Sequence, residues 1–464
     1  MRDSVRAQQM NSNSQVRILV VSYTFPPDAA VGGLRIARLC GHLPEHGIQP
    51  IVLSVDDRFH EGLDHSVVLP EGVRVVRTKC MRTPRDWYRR AKQLLTRERP
   101  EAGTETQSIA DPSFVRRQIR AFLEFPDRYW GWYFHAKEAA AQLIEKEGIH
   151  VIFSSGPPWI SHLIARKLKK EYQLPWIADF RDPWAHLLPE KNAPWWSQYV
   201  AEKLEDSCIE IADLVVCNTD RLRRAYQNCY GDVDGVKFRT LTNGYEDSRI
   251  SDEARPSSGK RIFLHLGSIY GLRRIDTFLQ AIADLTRSGR LDSNSFQLIF
   301  QGQISNDYTA AAEEICPDLL RCGCLEFRPR VSWEEAQRIL TGADRLLLFQ
   351  GNYELQVPAK FYEYLPTGIP IFAVTEEGAL TDLLTATGSG LWAKPADPRQ
   401  IAERFIEILA MPRRTPEYLE LSLNGKFQYR NLASQFGGWV RALASQGRES
   451  KAYATVGSGL GDSR

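Results

Sequence analysis

The chain has 464 residues, 43% of them hydrophobic and 25% charged, with a net charge of +2. That length exceeds what one core comfortably fills and predicts two domains of ordinary globular composition. The near-balanced charge gives no footprint for nucleic acid, and no apolar run approaches the roughly 20 residues that would span a bilayer.

Residues 1–15 are polar and are expected to be disordered. Arg17-Ile-Leu-Val-Val-Ser-Tyr then reads as a buried strand, followed by the loop Phe25–Gly33, an amphipathic helix over about 34–46 and a second strand at Ile48–Val55. Pro26-Pro27 follow the apolar residues too soon for a signal-peptide core, so a cytosolic protein is expected. Strand, glycine-containing loop, helix and strand is how a doubly wound sheet begins. The pattern breaks over about 81–133, which reads as a helical insertion. It resumes with helix 135–147 and strand 149–154, helix 160–173 and strand 175–178, and helix 196–212 and strand 213–217.

The stretch 246–260 is rich in Ser, Asp, Gly and Pro and reads as a linker. A second alternation follows: strand 262–266, helix 273–287, strand 296–301 and a strand near 325–328. Helix 332–341, strand 345–349, a short helix after Pro358, strand 369–374 and helices 378–386 and 397–411 complete it. The expected organisation is therefore an α/β protein with two doubly wound, Rossmann-like domains at 16–245 and 261–445, and a disordered tail at 446–464.

Residues 357–374, Val-Pro-Ala-Lys-Phe-Tyr-Glu-Tyr-Leu-Pro-Thr-Gly-Ile-Pro-Ile-Phe-Ala-Val, hold the densest chemistry. Pro358 suits the first helical position. Lys360 and Glu363 share a helix face, and Gly368 can close the helix with positive φ. A helix N-terminus carrying a lysine favours phosphate, and a carboxylate less than a turn further on can accept bonds from a ribose diol. By themselves the two charges would make only an ordinary i,i+3 surface pair.

This segment resembles the nucleotide-sugar signature of family-4 glycosyltransferases with the GT-B fold. The resemblance extends over roughly residues 16–445 and implies two domains facing across a cleft. It implies a sugar transferred, with retention and without metal or other cofactor, from a nucleoside-diphosphate donor to a glycan or polyprenyl-linked acceptor of a bacterial surface-polysaccharide pathway. Glu363 would bind the donor ribose, and the loop containing Pro358 would hold the diphosphate. The family's second glutamate, eight positions earlier, is replaced here by Leu355. Either the neighbouring Glu354 takes its role or that role is lost.

Gly267-Ser-Ile-Tyr-Gly-Leu-Arg-Arg274 resembles the family's phosphate loop, with Ser268 where an arginine is usual and Arg273 at a lysine position. Arg273 and Lys360 would offset charge on the departing diphosphate, with Arg274 competing for the first role. Gly32 and Gly33 lie in a Pro-Pro…Gly-Gly loop resembling the one that meets donor phosphate or acceptor; a plain tight turn would need only one glycine. Trp176-Ile-Ala-Asp-Phe-Arg-Asp-Pro-Trp184 and Ser154-Ser-Gly-Pro-Pro-Trp159 resemble cleft loops of one bacterial branch of the family. They place Ser155, Gly156 and Arg181 on the acceptor side and Asp182 among the catalytic residues. Asp179, Arg181 and Asp182 alternatively form a buried ion-pair network that only fixes the loop. Asn243-Gly-Tyr-Glu246 resembles the family's hinge.

Eight cysteines are scattered along the chain, and Cys322-Gly-Cys324 with Cys316 is too sparse for a zinc site, so structural thiols are expected. His162 reads as a helix-surface residue and His265 as a core one. Hydrolase, P-loop and zinc-protease motifs are absent. The basic, aromatic run Arg82–Arg99 fits either an anionic membrane surface, which would place the protein peripherally at the inner membrane, or a solvated helix. Two readings compete with the transferase: an epimerase of the same architecture, and a non-catalytic nucleotide-sugar-binding subunit, the latter suggested by Leu355 and Ser268.

Overall fold

The computed structural model describes residues 15–60, 62–64, 67, 69–84, 114–188, 193–231, 236–246, 259–269, 275–415 and 423–458. The chain divides into two compact units, one running to Thr242 and taking up the chain again from Tyr429, the other spanning Asn243–Gln428.

In the first unit β1 (Val16–Val21), α1 (Val31–His42), β2 (Ile48–Val55) and β3 (Arg74–Thr78) are followed by α2 (Phe114–Glu124) and α3 (Tyr133–Glu147). Then come β4 (Val151–Gly156), α4 (Ile160–Tyr172), β5 (Trp176–Phe180), α5 (Trp195–Ile211), β6 (Leu214–Cys217), α6 (Asp220–Tyr230) and β7 (Phe238–Thr240). The strands pair in parallel in the order β3-β2-β1-β4-β5-β6-β7. Ile18, Leu19, Val20 and Val21 of β1 are all fully buried, as expected of a central strand covered on both faces. The chain winds outward from β1 to β3 and returns on the other side of β1 at β4, which creates a switch point between their carboxyl ends.

The helix expected over 34–46 is two pieces. α1 stops at His42, and Pro44–His46 form a 3₁₀ turn closed by Gly47 at φ 72°; Pro44 has no N–H with which to continue the ladder. β3, α6 and β7 were not anticipated. In β3 two of the five residues are arginine, which hides its period-2 pattern. Within the expected insertion, residues 85–113 lie outside the described residues, and the remainder holds α2 and a 3₁₀ turn at Trp130–Trp132.

The second unit contains β8 (Arg261–Leu266), α7 (Asp276–Arg287), β9 (Phe296–Gln301), α8 (Asn306–Ile315), α9 (Pro317–Arg321), β10 (Leu325–Arg328) and α10 (Trp333–Thr341). It continues with β11 (Arg345–Gly351), α11 (Ala359–Tyr364), β12 (Ile371–Thr375), α12 (Ala379–Thr387), β13 (Gly390–Ala393) and α13 (Pro398–Ala410). Its parallel order is β10-β9-β8-β11-β12-β13, with the switch point between β8 and β11. One face of the sheet packs on Phe278, Leu279 and Phe405, and the other on Phe361, Leu380 and Phe427.

The last helix, α14 (Tyr429–Ser458), corrects two expectations. Residues 429–445 belong to the first unit rather than to a second domain ending at 445, and 446–458 are helical rather than disordered. Leu432, Ala433, Phe436, Val440 and Ala444 recur at helical spacing and join the core of β1 and β4, with Phe436 4.8 Å from Phe153 between ring centroids. A buried phenylalanine of this kind typically costs about 3–5 kcal/mol when cut to alanine. Residues 1–14, the linker span 247–258 and 459–464 lie outside the described residues.

Candidate functional site

The second unit gathers its chemistry at the carboxyl ends of β8 and β11. Gly267 leaves β8 at φ 118°, a conformation few side chains tolerate, and its N–H donates to the Gln301 carbonyl at 2.7 Å. A Cβ at this position would collide with the Lys360 ammonium, so the lysine lies directly over the glycine backbone. Lys360 comes from α11, which is fixed to the same strand end: the Leu266 N–H donates to the Tyr364 hydroxyl at 3.0 Å. Burial pushes the Tyr364 phenol well up, so it stays protonated and neutral.

The loop between β11 and α11 is braced from below by Gln350. Its amide donates to the carbonyls of Tyr353 at 2.8 Å and Gln356 at 2.7 Å. Pro358 is the residue before the helix, at ψ 139°, rather than its first member; α11 begins at Ala359. Glu363 lies half-buried on that helix three residues from Lys360. Gly368, at φ 66°, closes the turn as expected. The Glu354 side chain is exposed, while its carbonyl accepts from Ala379 N–H at 2.7 Å, and Gly378 has no room for a side chain against that backbone. Ser268 follows Gly267 and is half-buried. Arg273 and its competitor Arg274 lie outside the described residues.

In the first unit the corresponding edge is made by the ends of β1, β4 and β5. Here the two glycines divide their work. Gly33 packs against the backbone of Thr24 and Phe25 at 3.1 Å from a would-be Cβ, whereas a side chain on Gly32 would strike the Arg181 guanidinium. Arg181 donates from Nε to the Gly156 carbonyl at 3.3 Å and from a terminal nitrogen to the Pro157 carbonyl. Asp182 and Asp179 supply opposite charge nearby, against the desolvation that pulls the guanidinium pKa down. Gly32, Gly156, Arg181 and Asp182 are thus brought to one place.

Behind this edge, three buried acids hold the loops. Asp179, fully buried, is paired with Arg35 at 2.6 Å and accepts the Ser155 hydroxyl at 2.7 Å. The network expected among Asp179, Arg181 and Asp182 is therefore divided, with Asp179 turned to Arg35. Ser155 is turned inward with it and is buried. Asp127 accepts from Ile160 N–H at 3.2 Å at the end of the 154–159 loop, and desolvation raises its pKa. Glu205 accepts the His186 N–H at 3.1 Å and the Tyr230 hydroxyl at 3.2 Å beyond the 181–184 loop, and is likewise raised by burial. Trp159 and Trp184, one from each loop, stack with centroids 4.7 Å apart.

His162 is fully buried rather than on the helix surface. Its Nδ1 pairs with Ser154 Oγ at 2.8 Å, its ring packs on Phe180, and desolvation pushes its pKa down to about 3, which keeps it neutral. His265 is a core residue, as expected, with Nδ1 3.0 Å from the Leu347 carbonyl. Gln350, Tyr364, Asp127 and Glu205 escaped sequence reasoning. Only Gln350, a polar residue ending the apolar run 346–349, left a local signal. Among the described residues no group of three or more His, Cys, Asp or Glu side chains is placed to hold a metal ion.

Residues 101–249 match the family model for Glycosyltransferase Family 4. The match takes in about a third of the chain, and over that segment the chain is similar to this family. That segment contains Ser155, Gly156, Arg181 and Asp182, whereas Gly267, Lys360 and Glu363 lie beyond it. Over 153 residues the chain is 30% identical to a probable glycosyltransferase, WbjE, of Pseudomonas aeruginosa; the match takes in 32% of this chain and 36% of WbjE, so about a third of that relative's length is spanned. Among solved structures, sucrose-phosphate synthase of Thermosynechococcus elongatus superposes with a TM-score of 0.60 at 17% identity, over 93% of this chain and 100% of that one. Anabaena HepE, solved with UDP and glucose, gives 0.58 at 11%, over 92% and 100%. WaaG, a glycosyltransferase involved in lipopolysaccharide biosynthesis, gives 0.55 at 13%, over 92% and 99%. At these identities the likeness shows the fold, a GT-B architecture with two parallel α/β sheets.

Proposed function

We propose that the protein is a glycosyltransferase that moves a sugar from a nucleoside-diphosphate donor to a glycan or polyprenyl-linked acceptor of a surface-polysaccharide pathway. The observation that carries this is the Lys360 ammonium lying over the Gly267 backbone at a sheet switch point, where a diphosphate finds a cation and bare backbone together. Glu363, on the same helix, is the ribose ligand in this reading. The first unit holds the acceptor, with Arg181 and Asp182 nearest to it. HepE, a structural neighbour, is solved with UDP and glucose, and UDP is a nucleoside diphosphate of the class proposed here.

As the glycosidic bond to the donor breaks, negative charge grows on the leaving diphosphate. Lys360 and Arg273 offset that charge, a stabilisation that needs no metal. Retention follows from the family resemblance, through front-face attack assisted by the leaving phosphate or through double displacement. The protein works on the cytoplasmic side, peripheral to the membrane. No helix among the described residues is long and apolar enough to cross one.

A binding subunit without catalysis is the second reading, favoured by the exposed Glu354 side chain and by Leu355 at the position of the family's second glutamate. The test is incubation with a panel of nucleotide sugars in EDTA. Release of nucleoside diphosphate with transfer of sugar to a second molecule supports the proposal. Binding without release supports the subunit, a changed sugar still attached to nucleotide supports an epimerase, and a requirement for Mg²⁺ or Mn²⁺ overturns the metal-free step.

A further inference from the structure

Helix α2 turns an unusual amount of apolar surface outward. Phe114, Val115, Ile119 and Phe122 are 67%, 62%, 51% and 74% exposed, and on the first turns of α5 Trp195 and Tyr199 are 80% and 55% exposed. Single exposed apolar residues are normal, but a contiguous group marks an interaction site. The two helices that carry these residues touch one another. Trp196 donates from Nε1 to the Gln118 side chain at 3.0 Å, and its ring lies 5.5 Å from that of Phe125, so α2 rests against the start of α5.

Charge decides what covers it. The sequence of α2, Phe-Val-Arg-Arg-Gln-Ile-Arg-Ala-Phe-Leu-Glu, places three arginines among its apolar residues against one glutamate. Aromatic residues and arginine are also common at protein interfaces, but in a contact between two copies this positive face would meet itself, and like charges set against one another disfavour the pairing. Arginines interleaved with phenylalanine and tryptophan suit an anionic interface, where guanidinium groups meet headgroup phosphates and rings sit at the acyl boundary. At eleven residues, about 16 Å long, α2 is too short to span a bilayer and long enough to lie in its surface.

We propose that α2 and the first turns of α5 form a seat for the surface of an anionic lipid bilayer. The seat uses other residues than the basic stretch 82–99; it deepens the peripheral attachment proposed above and is independent of the donor reading. It would bring the first unit to a membrane-borne acceptor.

The test is co-sedimentation of the full-length protein with vesicles of phosphatidylcholine containing phosphatidylglycerol, and with phosphatidylcholine alone. Native protein, Phe114→Ser/Phe122→Ser/Trp195→Ser and Arg117→Gln/Arg120→Gln are compared, with thermal unfolding as the check on folding. Native protein should sediment only with the anionic vesicles and leave them at about 0.5 M salt. The bound fraction should fall about tenfold or more in the apolar variant and several-fold in the charge variant. An apolar variant that sediments like the native protein would overturn the proposal and move attachment to residues 82–99. Native protein that ignores vesicles but forms a dimer broken by the same substitutions would overturn it in favour of a second copy.

Discussion

The ammonium of Lys360 stands where a side chain at Gly267 would have to be. Gly267→Ala should therefore act twice. At φ 118° the alanine backbone is strained by about 1–3 kcal/mol, and the lysine is pushed off the strand end. A lower denaturation midpoint in urea, together with weaker donor binding by calorimetry, is the expected result. Native stability would mean that the loop relaxes freely.

Lys360→Ala removes the charge without the strain. Stability should change by no more than about 0.5 kcal/mol, while kcat falls about 10²–10³-fold, the usual cost of losing a group that meets charge in the transition state. Arg273→Ala should move in the same direction. Steady-state kinetics decide: a raised KM with unchanged kcat would make these residues uniform binders instead.

Glu363→Ala should weaken donor binding by roughly 1.5–3 kcal/mol, the range for hydrogen bonds to a charged group, and leave folding intact because the side chain is only half-buried. Calorimetric titration with the donor measures it directly. Unchanged affinity would remove Glu363 from the nucleotide site.

Much of this arrangement was legible in the sequence because it is local. The apolar runs of β1, β2, β9 and β11 and the glycine closing α11 follow from residue type and spacing alone. What stayed hidden depends on partners far apart in the chain. Arg35 meets Asp179 across 144 positions, and Tyr364 reaches Leu266 across 98. Helix α14 returns from the second unit to the first, a path that its own amphipathic pattern does not announce. Ser155 and His162 have ordinary surface chemistry as residues and were misplaced because burial is a property of the fold, not of their neighbours in sequence.

Asp179→Ala should destabilise the first unit strongly. It leaves Arg35, 3% exposed, with its charge uncompensated in the core, which costs about 3–5 kcal/mol. Replacing both residues, Arg35→Met with Asp179→Leu, should recover most of that loss. Denaturant midpoints for the single and double variants test it, and equal losses in both would place the cost in packing instead.

Glu205 gives a pH dependence of known sign. Burial raises its folded pKa above the unfolded value of about 4.3. Its contribution is therefore most favourable below that unfolded value, where the carboxyl is protonated in both states, and is lost as pH rises through the raised folded value. Relative to Glu205→Gln, the native protein should lose stability over that window and run parallel to the variant outside it. Melting temperatures taken at intervals from about pH 4 upward would show the divergence, and parallel curves throughout would mean that the acid titrates as it does in the unfolded chain.

A thermal-shift screen of native protein and Lys360→Ala against nucleoside diphosphates and their sugars tests the diphosphate site itself. A ligand at about a hundredfold over its Kd should stabilise the native fold by roughly 2.7 kcal/mol. At least one nucleoside diphosphate should raise the melting temperature of the native protein and raise that of the variant far less. No shift with any of them, or an equal shift in both proteins, would contradict a diphosphate site at Lys360 and Gly267.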